Sequence, residues 1–106
     1  MKKKKAAAVP FEPYLLSKLK SPEMAANYLS AILAEGSDTD EDFEVFFRAL
    51  EKVLQANGIS DTAKKLGIAR DTLYKIFRSH RNPTVKTLRA ILNSVDMDMA
   101  VVYKKA

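Results

Sequence analysis

Residues 59–78 read ISDTAKKLGIARDTLYKIFR. Two apolar-periodic pieces, each too short to be a stable helix alone in water, meet at Gly67. Ala63, near the middle of the first piece, is small enough for a second helix to cross closely. Gly67, four residues later, permits a sharp turn that a Cβ would strain. Ile68 plugs the corner, and Leu66, Leu73, Ile76 and Phe77 supply apolar anchors. A small residue, a turn glycine four positions on, and an apolar residue six positions after that form the helix-turn-helix pattern. The spacing predicts short helices over about 60–66 and 69–78.

Once the anchors point inward, the outward positions of the second helix follow. They are Arg70, Asp71, Thr72, Tyr74, Lys75 and Arg78. Arginine can donate two hydrogen bonds to the edge of guanine, and threonine and tyrosine can meet bases, thymine methyls or phosphates. Asp71 can orient an arginine, accept from cytosine or cap its helix. Ser60 is placed to cap the first short helix and meet a phosphate. His80, Arg81, Asn82 and Lys86 follow and can grip the sugar-phosphate backbone. A bland reading stands beside this one, because short helix pairs with a glycine turn also occur in bundles that bind nothing, and charged outward residues often form only a solvated face.

Charge favours the nucleic-acid reading. The 106 residues carry a net charge of +5, unevenly spread. Residues 59–89 hold eight basic residues against Asp61 and Asp71, whereas residues 21–58 hold eight acidic residues against Arg48 and Lys52. A basic block beside an acidic block predicts two surfaces with different partners. The chain contains no cysteine, which excludes disulfides, thiolate metal sites and a cysteine nucleophile, and which fits a reducing cytosol. One histidine, no glycine-rich phosphate loop and no metal-ligand spacing leave no candidate catalytic, metal or cofactor site. No apolar run approaches the roughly 20 residues that span a bilayer. The start, MKKKKAAAVP, resembles an export signal in its lysines, but the apolar part stops at Pro10, so residues 1–10 are read as a flexible basic tail.

Further helices flank the motif. In SPEMAANYLSAILAEG, Ser21 can cap a helix, Pro22 suits its first position, and Gly36 can close it in a left-handed conformation. Its inward face is read as Ala25, Tyr28, Leu29, Ile32 and Leu33. In SDTDEDFEVFFRALEKVLQANG, acids crowd the start, where the helix dipole favours them, and Gly58 ends the helix. Its stripe is Phe43, Phe46, Phe47, Leu50, Val53 and Leu54. The cluster Asp38, Asp40 and Asp42 is not a calcium loop, because Phe43 and Ala49 stand where the turn glycine and closing glutamate belong. Pro83 and Thr84 start a last helix, with Val85, Leu88, Ile91, Leu92 and Val95 inward. Residues 97–103, MDMAVVY, alternate in their first part as a strand does. A lone strand cannot satisfy its own backbone, so this one needs a partner, such as the same strand in a second copy.

Beyond the motif, three stretches carry a wider resemblance: FEPYLLSKLKSPEMAANYLSAILAE, FFRALEKVLQANGISDTAKKLGIARDTLYKIF and RNPTVKTLRAILNSVDMDMAVV. Together they span about residues 11–102. The chain resembles the addiction-module antidote proteins, small helix-turn-helix antitoxins of the lambda-repressor-like kind encoded beside a toxin of the RelE/HigB type. The resemblance implies an all-α fold: a five-helix lambda-repressor-like domain over residues 11–106, with an extra N-terminal helix and a short C-terminal strand. It also implies two tasks, neutralising a small basic toxin and repressing the module's own promoter. Proteins of this kind tend to be homodimers, which would set two recognition helices about 34–36 Å apart on a palindromic operator of double-stranded DNA. The acidic stretch 21–58 is then a candidate dock for the toxin. The chain departs from the family at Arg81, where a glycine often precedes Asn-Pro, at Val95–Met97, where a Leu-Gly turn is common, and at Ile59–Ser60, where related repressors place glutamine. The alternatives are a stand-alone regulator of the phage-repressor kind without a toxin, and a helical interaction module that does not bind DNA.

Overall fold

Ser21 caps a helix. Its side-chain oxygen accepts from the Met24 N–H at 3.3 Å, and Pro22 follows at the first helical position. Such a cap contributes about 1 kcal/mol. The computed structural model describes residues 11–36, 39–78 and 83–104, and over these the chain is all-helical. The helices are α1 (Phe11–Leu19), α2 (Pro22–Glu35), α3 (Asp40–Asn57), α4 (Ile59–Leu66), α5 (Arg70–Arg78) and α6 (Val85–Asn93). The chain divides between Asn57 and Gly58 into two compact units. The expected basic tail, residues 1–10, lies outside the described residues.

In the first unit α1 and α2 pack on each other and both pack on α3. Leu19, Ala25, Leu29, Phe46, Ala49, Leu50, Val53 and Leu54 are buried. Each large apolar side chain among them contributes about 1.5–3 kcal/mol by leaving water. Phe46 and Phe47 meet edge to face with ring centroids 5.5 Å apart. The Asn57 amide donates to the carbonyls of Val53 at 2.9 Å and Leu19 at 3.5 Å, so one side chain serves the last turns of α3 and α1. The acids Asp40, Glu41 and Asp42 occupy the first turn of α3, and Thr39 Oγ1 accepts from the Asp42 N–H at 3.1 Å.

Three expectations in this unit are corrected. Leu33 and Phe43 lie at the exposed edges of their stripes rather than in the core. Gly36 is extended (φ −79°, ψ 158°), not left-handed; its N–H still closes α2 by donating to the Ile32 carbonyl.

In the second unit α4 packs on α5 and on α6. Ile59, Thr62, Ala63, Leu73, Ile91, Leu92 and Val95 are buried. Thr84 caps α6 by accepting from the Thr87 N–H at 3.1 Å. Val85, expected inward, is exposed, because the first turn of α6 overhangs its contacts. After α6 the chain turns at Asp96, whose φ of 65° is left-handed. The Asp96 N–H donates to Asn93 O at 3.2 Å and the Met97 N–H to Leu92 O at 2.9 Å. This pair of bonds is the Schellman closure, with aspartate in the position that favours glycine.

The expected C-terminal strand is not present among the described residues. Residues 97–104 carry no regular secondary structure. Alternation assigns faces to a segment but supplies no neighbour for its N–H and C=O groups, and among the described residues there is no strand for it to pair with.

Candidate nucleic-acid interface

The geometry of α4 and α5 begins at two glycines. Gly58 precedes α4 with φ 96°, and Gly67 follows it in the left-handed conformation, φ 72° and ψ 28°. The Gly67 N–H donates to Lys64 O and the Ile68 N–H to Ala63 O, both at 3.1 Å. Both bonds satisfy carbonyls that the end of α4 would leave free, and they redirect the chain within one turn. Ala63 and Thr62 are buried on α4, and Leu73 is fully buried on α5. Ile68, Ile76 and Phe77 are half-buried around them. The Thr62 hydroxyl donates to the Gly58 carbonyl at 3.0 Å, which satisfies the one buried polar side chain among the described residues.

Ser60 is corrected in one respect. Gly58 occupies the cap position and no side chain caps α4; Ser60 is the second helical residue and is exposed. The start of the helix lies earlier than the sequence suggests, because Gly58 can take a backbone conformation that frees Ile59 to enter the helix and the core.

The expected reading residues share α5. Arg70, Asp71, Thr72, Lys75 and Arg78 are exposed, and Tyr74 is half-buried. Asp71 lies in the first turn, where the helix dipole favours a carboxylate. Arg70, Tyr74 and Arg78 follow one another at intervals of four and so form a row along the helix. The guanidinium carbon of Arg70 lies 5.7 Å from the Tyr74 ring centroid, and that of Arg78 lies 4.6 Å from it. Contacts of this type contribute about 0.5–1 kcal/mol at exposed sites. They steady two long, charged side chains along α5. Sequence reasoning assigned these three residues separate roles; the four-residue spacing was the signal that they form a stack. Lys86 is exposed at the start of α6, while His80, Arg81 and Asn82 lie outside the described residues.

Lys65 and Arg89, among the basic residues of this region, serve the fold. Lys65 donates to Ser94 O at 3.3 Å, at the carbonyl end of α6, where a cation is favoured. Arg89 grips Asp98 with two bonds, Nε to Oδ1 at 2.8 Å and Nη2 to Oδ2 at 3.2 Å. The Arg89 fork, with the Met99 N–H donating to the same carboxylate, holds Asp98 down at a pKa of about 2. This clasp joins residues nine apart and was not read from the sequence.

A family of proteins described as "Probable addiction module antidote protein" matches residues 12–103. The chain belongs to that family. A protein of Haemophilus influenzae, described as uncharacterized, is 30% identical over 83 residues, which is 78% of this chain and 80% of that protein. No solved structure is significantly similar to the chain. Membership of the antidote family assigns the chain an antitoxin role in a toxin–antitoxin module and implies a toxin partner. No helix among the described residues is long and apolar enough to cross a membrane.

Proposed function

We propose that this antidote neutralises a toxin of the RelE/HigB type and represses its own operon by binding double-stranded DNA as a homodimer. The observation that carries the DNA reading is the Arg70–Tyr74–Arg78 row on α5, with both arginines exposed, in a helix that follows a left-handed glycine turn. The net positive charge of residues 59–89 supports it, since phosphate neutralisation supplies most sequence-independent affinity. Arg70, Thr72, Tyr74, Lys75 and Arg78 face bases and phosphates, Asp71 orients its neighbours, and Ser60 and Arg81 meet the backbone. The first unit supplies the toxin dock. Its α3 begins with three acids, and Met24, Leu33, Phe43 and Val45 are exposed apolar side chains on α2 and α3. Acidic and apolar groups together suit a basic protein better than they suit nucleic acid.

Two assays test the two halves of this reading. Expression of the adjacent small reading frame should arrest growth, and co-expression of this chain should relieve the arrest; a harmless frame ends the toxin reading. Operator DNA from upstream of the gene should bind with an affinity that falls steeply with salt. Arg78→Ala and Arg70→Ala should weaken that binding without loss of helix content. Unchanged binding in both variants removes α5 as the reading helix.

A further inference from the structure

Residues 99–104 leave the second unit with no regular structure and with large apolar side chains in solvent. Val101 is 102% exposed, Tyr103 90%, Val102 81% and Met99 41%. Among the described residues no backbone hydrogen bond involves residues 100–104. The segment is nevertheless anchored at its root. Asp98 is held by the two-bond Arg89 fork, and the Asn93 amide donates to Met97 O at 2.7 Å. A fixed root followed by unpaired backbone and exposed apolar groups is the form of a strand edge awaiting a partner.

We propose that this segment pairs antiparallel with the same segment of a second copy of the chain, with Val101 on the two-fold axis. The sequence is self-complementary in that register. Val101 faces Val101 of the copy, Met99 faces Tyr103, Ala100 faces Val102, and Asp98 faces Lys104. Met99, Val101 and Tyr103 then line one face, which is apolar in both strands between the closing charge pairs. The opposite-charge pair closes each end, and cross-strand pairs of this kind favour the ribbon. Moving the axis to Ala100 sets Asp98 against Val102 and Lys104 against Asp96, which the left-handed turn after α6 holds out of extended backbone, so that charge pair is not available to a ribbon.

The ribbon deepens the homodimer in the proposed function and rests on it, naming the surface through which the copies meet. Two strands of this length bury little compared with the roughly 800 Å² per partner of a standard interface. Association should therefore depend on protein concentration, and a palindromic operator should strengthen it.

The absence of native cysteine makes the test direct. Single variants Ala100→Cys, Val101→Cys and Val102→Cys are incubated in a glutathione redox buffer and the covalent dimer is measured. Val101→Cys should link to its own copy fastest, with the other two at least several-fold slower. Fastest linking by Ala100→Cys or Val102→Cys, or equal rates for all three, overturns the register. Sedimentation of the full chain carrying Val101→Asp provides the second arm. The substituted side chain is fully exposed, so helix content and melting should stay as in the parent, while the mass should fall from dimer to monomer. A Val101→Asp variant that remains dimeric overturns the ribbon but leaves a homodimer standing through another surface. A parent chain monomeric at every concentration, without DNA and on the operator alike, overturns both. Loss of DNA binding by a parent that still dimerises through Val101 overturns the repressor and leaves the ribbon.

Discussion

Asp98 shows how much one exposed residue can organise. Its carboxylate takes both bonds of the Arg89 fork and the N–H of Met99, and these donors all prefer the charged form. Its pKa is lowered to about 2, first by the hydrogen bond to Arg89 and next by that to Met99. A carboxyl depressed in the folded state stabilises that state above its unfolded pKa, and the contribution is lost as pH falls through the folded value. The clasp should therefore be complete at neutral pH and open between about pH 4 and 2. An NMR titration of the Asp98 carboxyl carbon should give a midpoint near the low end of that window. In Arg89→Ala the midpoint should rise towards the ordinary aspartate value. A midpoint that does not move in the variant would assign the shift to the Met99 and Asn93 donors instead. Nothing in the local sequence announces this pair, because the two residues belong to no helical or strand periodicity; they meet only after the turn at Asp96 has reversed the chain.

At the scale of elements, two helices end in the same way with different residues. α4 closes through Gly67 at φ 72°, and the chain after α6 closes through Asp96 at φ 65°. Glycine takes that conformation without cost, whereas a side chain with a Cβ is strained there. Opposite substitutions should thus have opposite signs. A Cβ at Gly67 would meet nothing within 4 Å, so Gly67→Val tests backbone strain without a steric clash. It should lower stability by about 1–3 kcal/mol, the cost of a strained φ for a branched residue. Asp96→Gly should raise the melting temperature slightly, by relief of about 1 kcal/mol or less. Thermal melts of both variants against the parent provide the check, and an unaltered melt for Gly67→Val would contradict the turn.

The same elements show what was legible beforehand. Capping chemistry is local, so Ser21, Thr84 and Gly67 could be read from neighbours three or four residues away. The small–glycine–apolar spacing placed α4 and α5 to within a residue or two. Exposure at the edge of a helix is not local. Leu33, Phe43 and Val85 satisfy helical periodicity, yet each lies where the neighbouring helix no longer covers it. The alternation of residues 97–103 likewise described a segment fit to pair, while pairing depends on a second backbone that one sequence cannot supply.

The whole molecule combines a first unit that carries the acidic stretch and a second unit that is basic. If the toxin docks on the first and the operator on the second, the two tasks should separate genetically. The double variant Arg70→Ala/Arg78→Ala should lose repression of a promoter-linked reporter while still relieving toxin-induced growth arrest. Loss of both activities together, in a variant that remains folded, would show that the two surfaces are not independent.

The passage from one unit to the other has a practical meaning for dissection. α3 ends at Asn57 and α4 starts at Ile59, with Gly58 alone between them. Most chains built of two units offer a linker in which a protease can cut or an engineer can insert. Here the spacer is a single half-buried glycine at φ 96°, where an added Cβ would stand 3.3 Å from the Asp61 carboxylate. A cut displaced towards α3 removes Asn57 and its bonds to two helix ends, and one displaced towards α4 removes Ile59 from the second core. A boundary that keeps both sets of contacts within their own halves falls at that glycine.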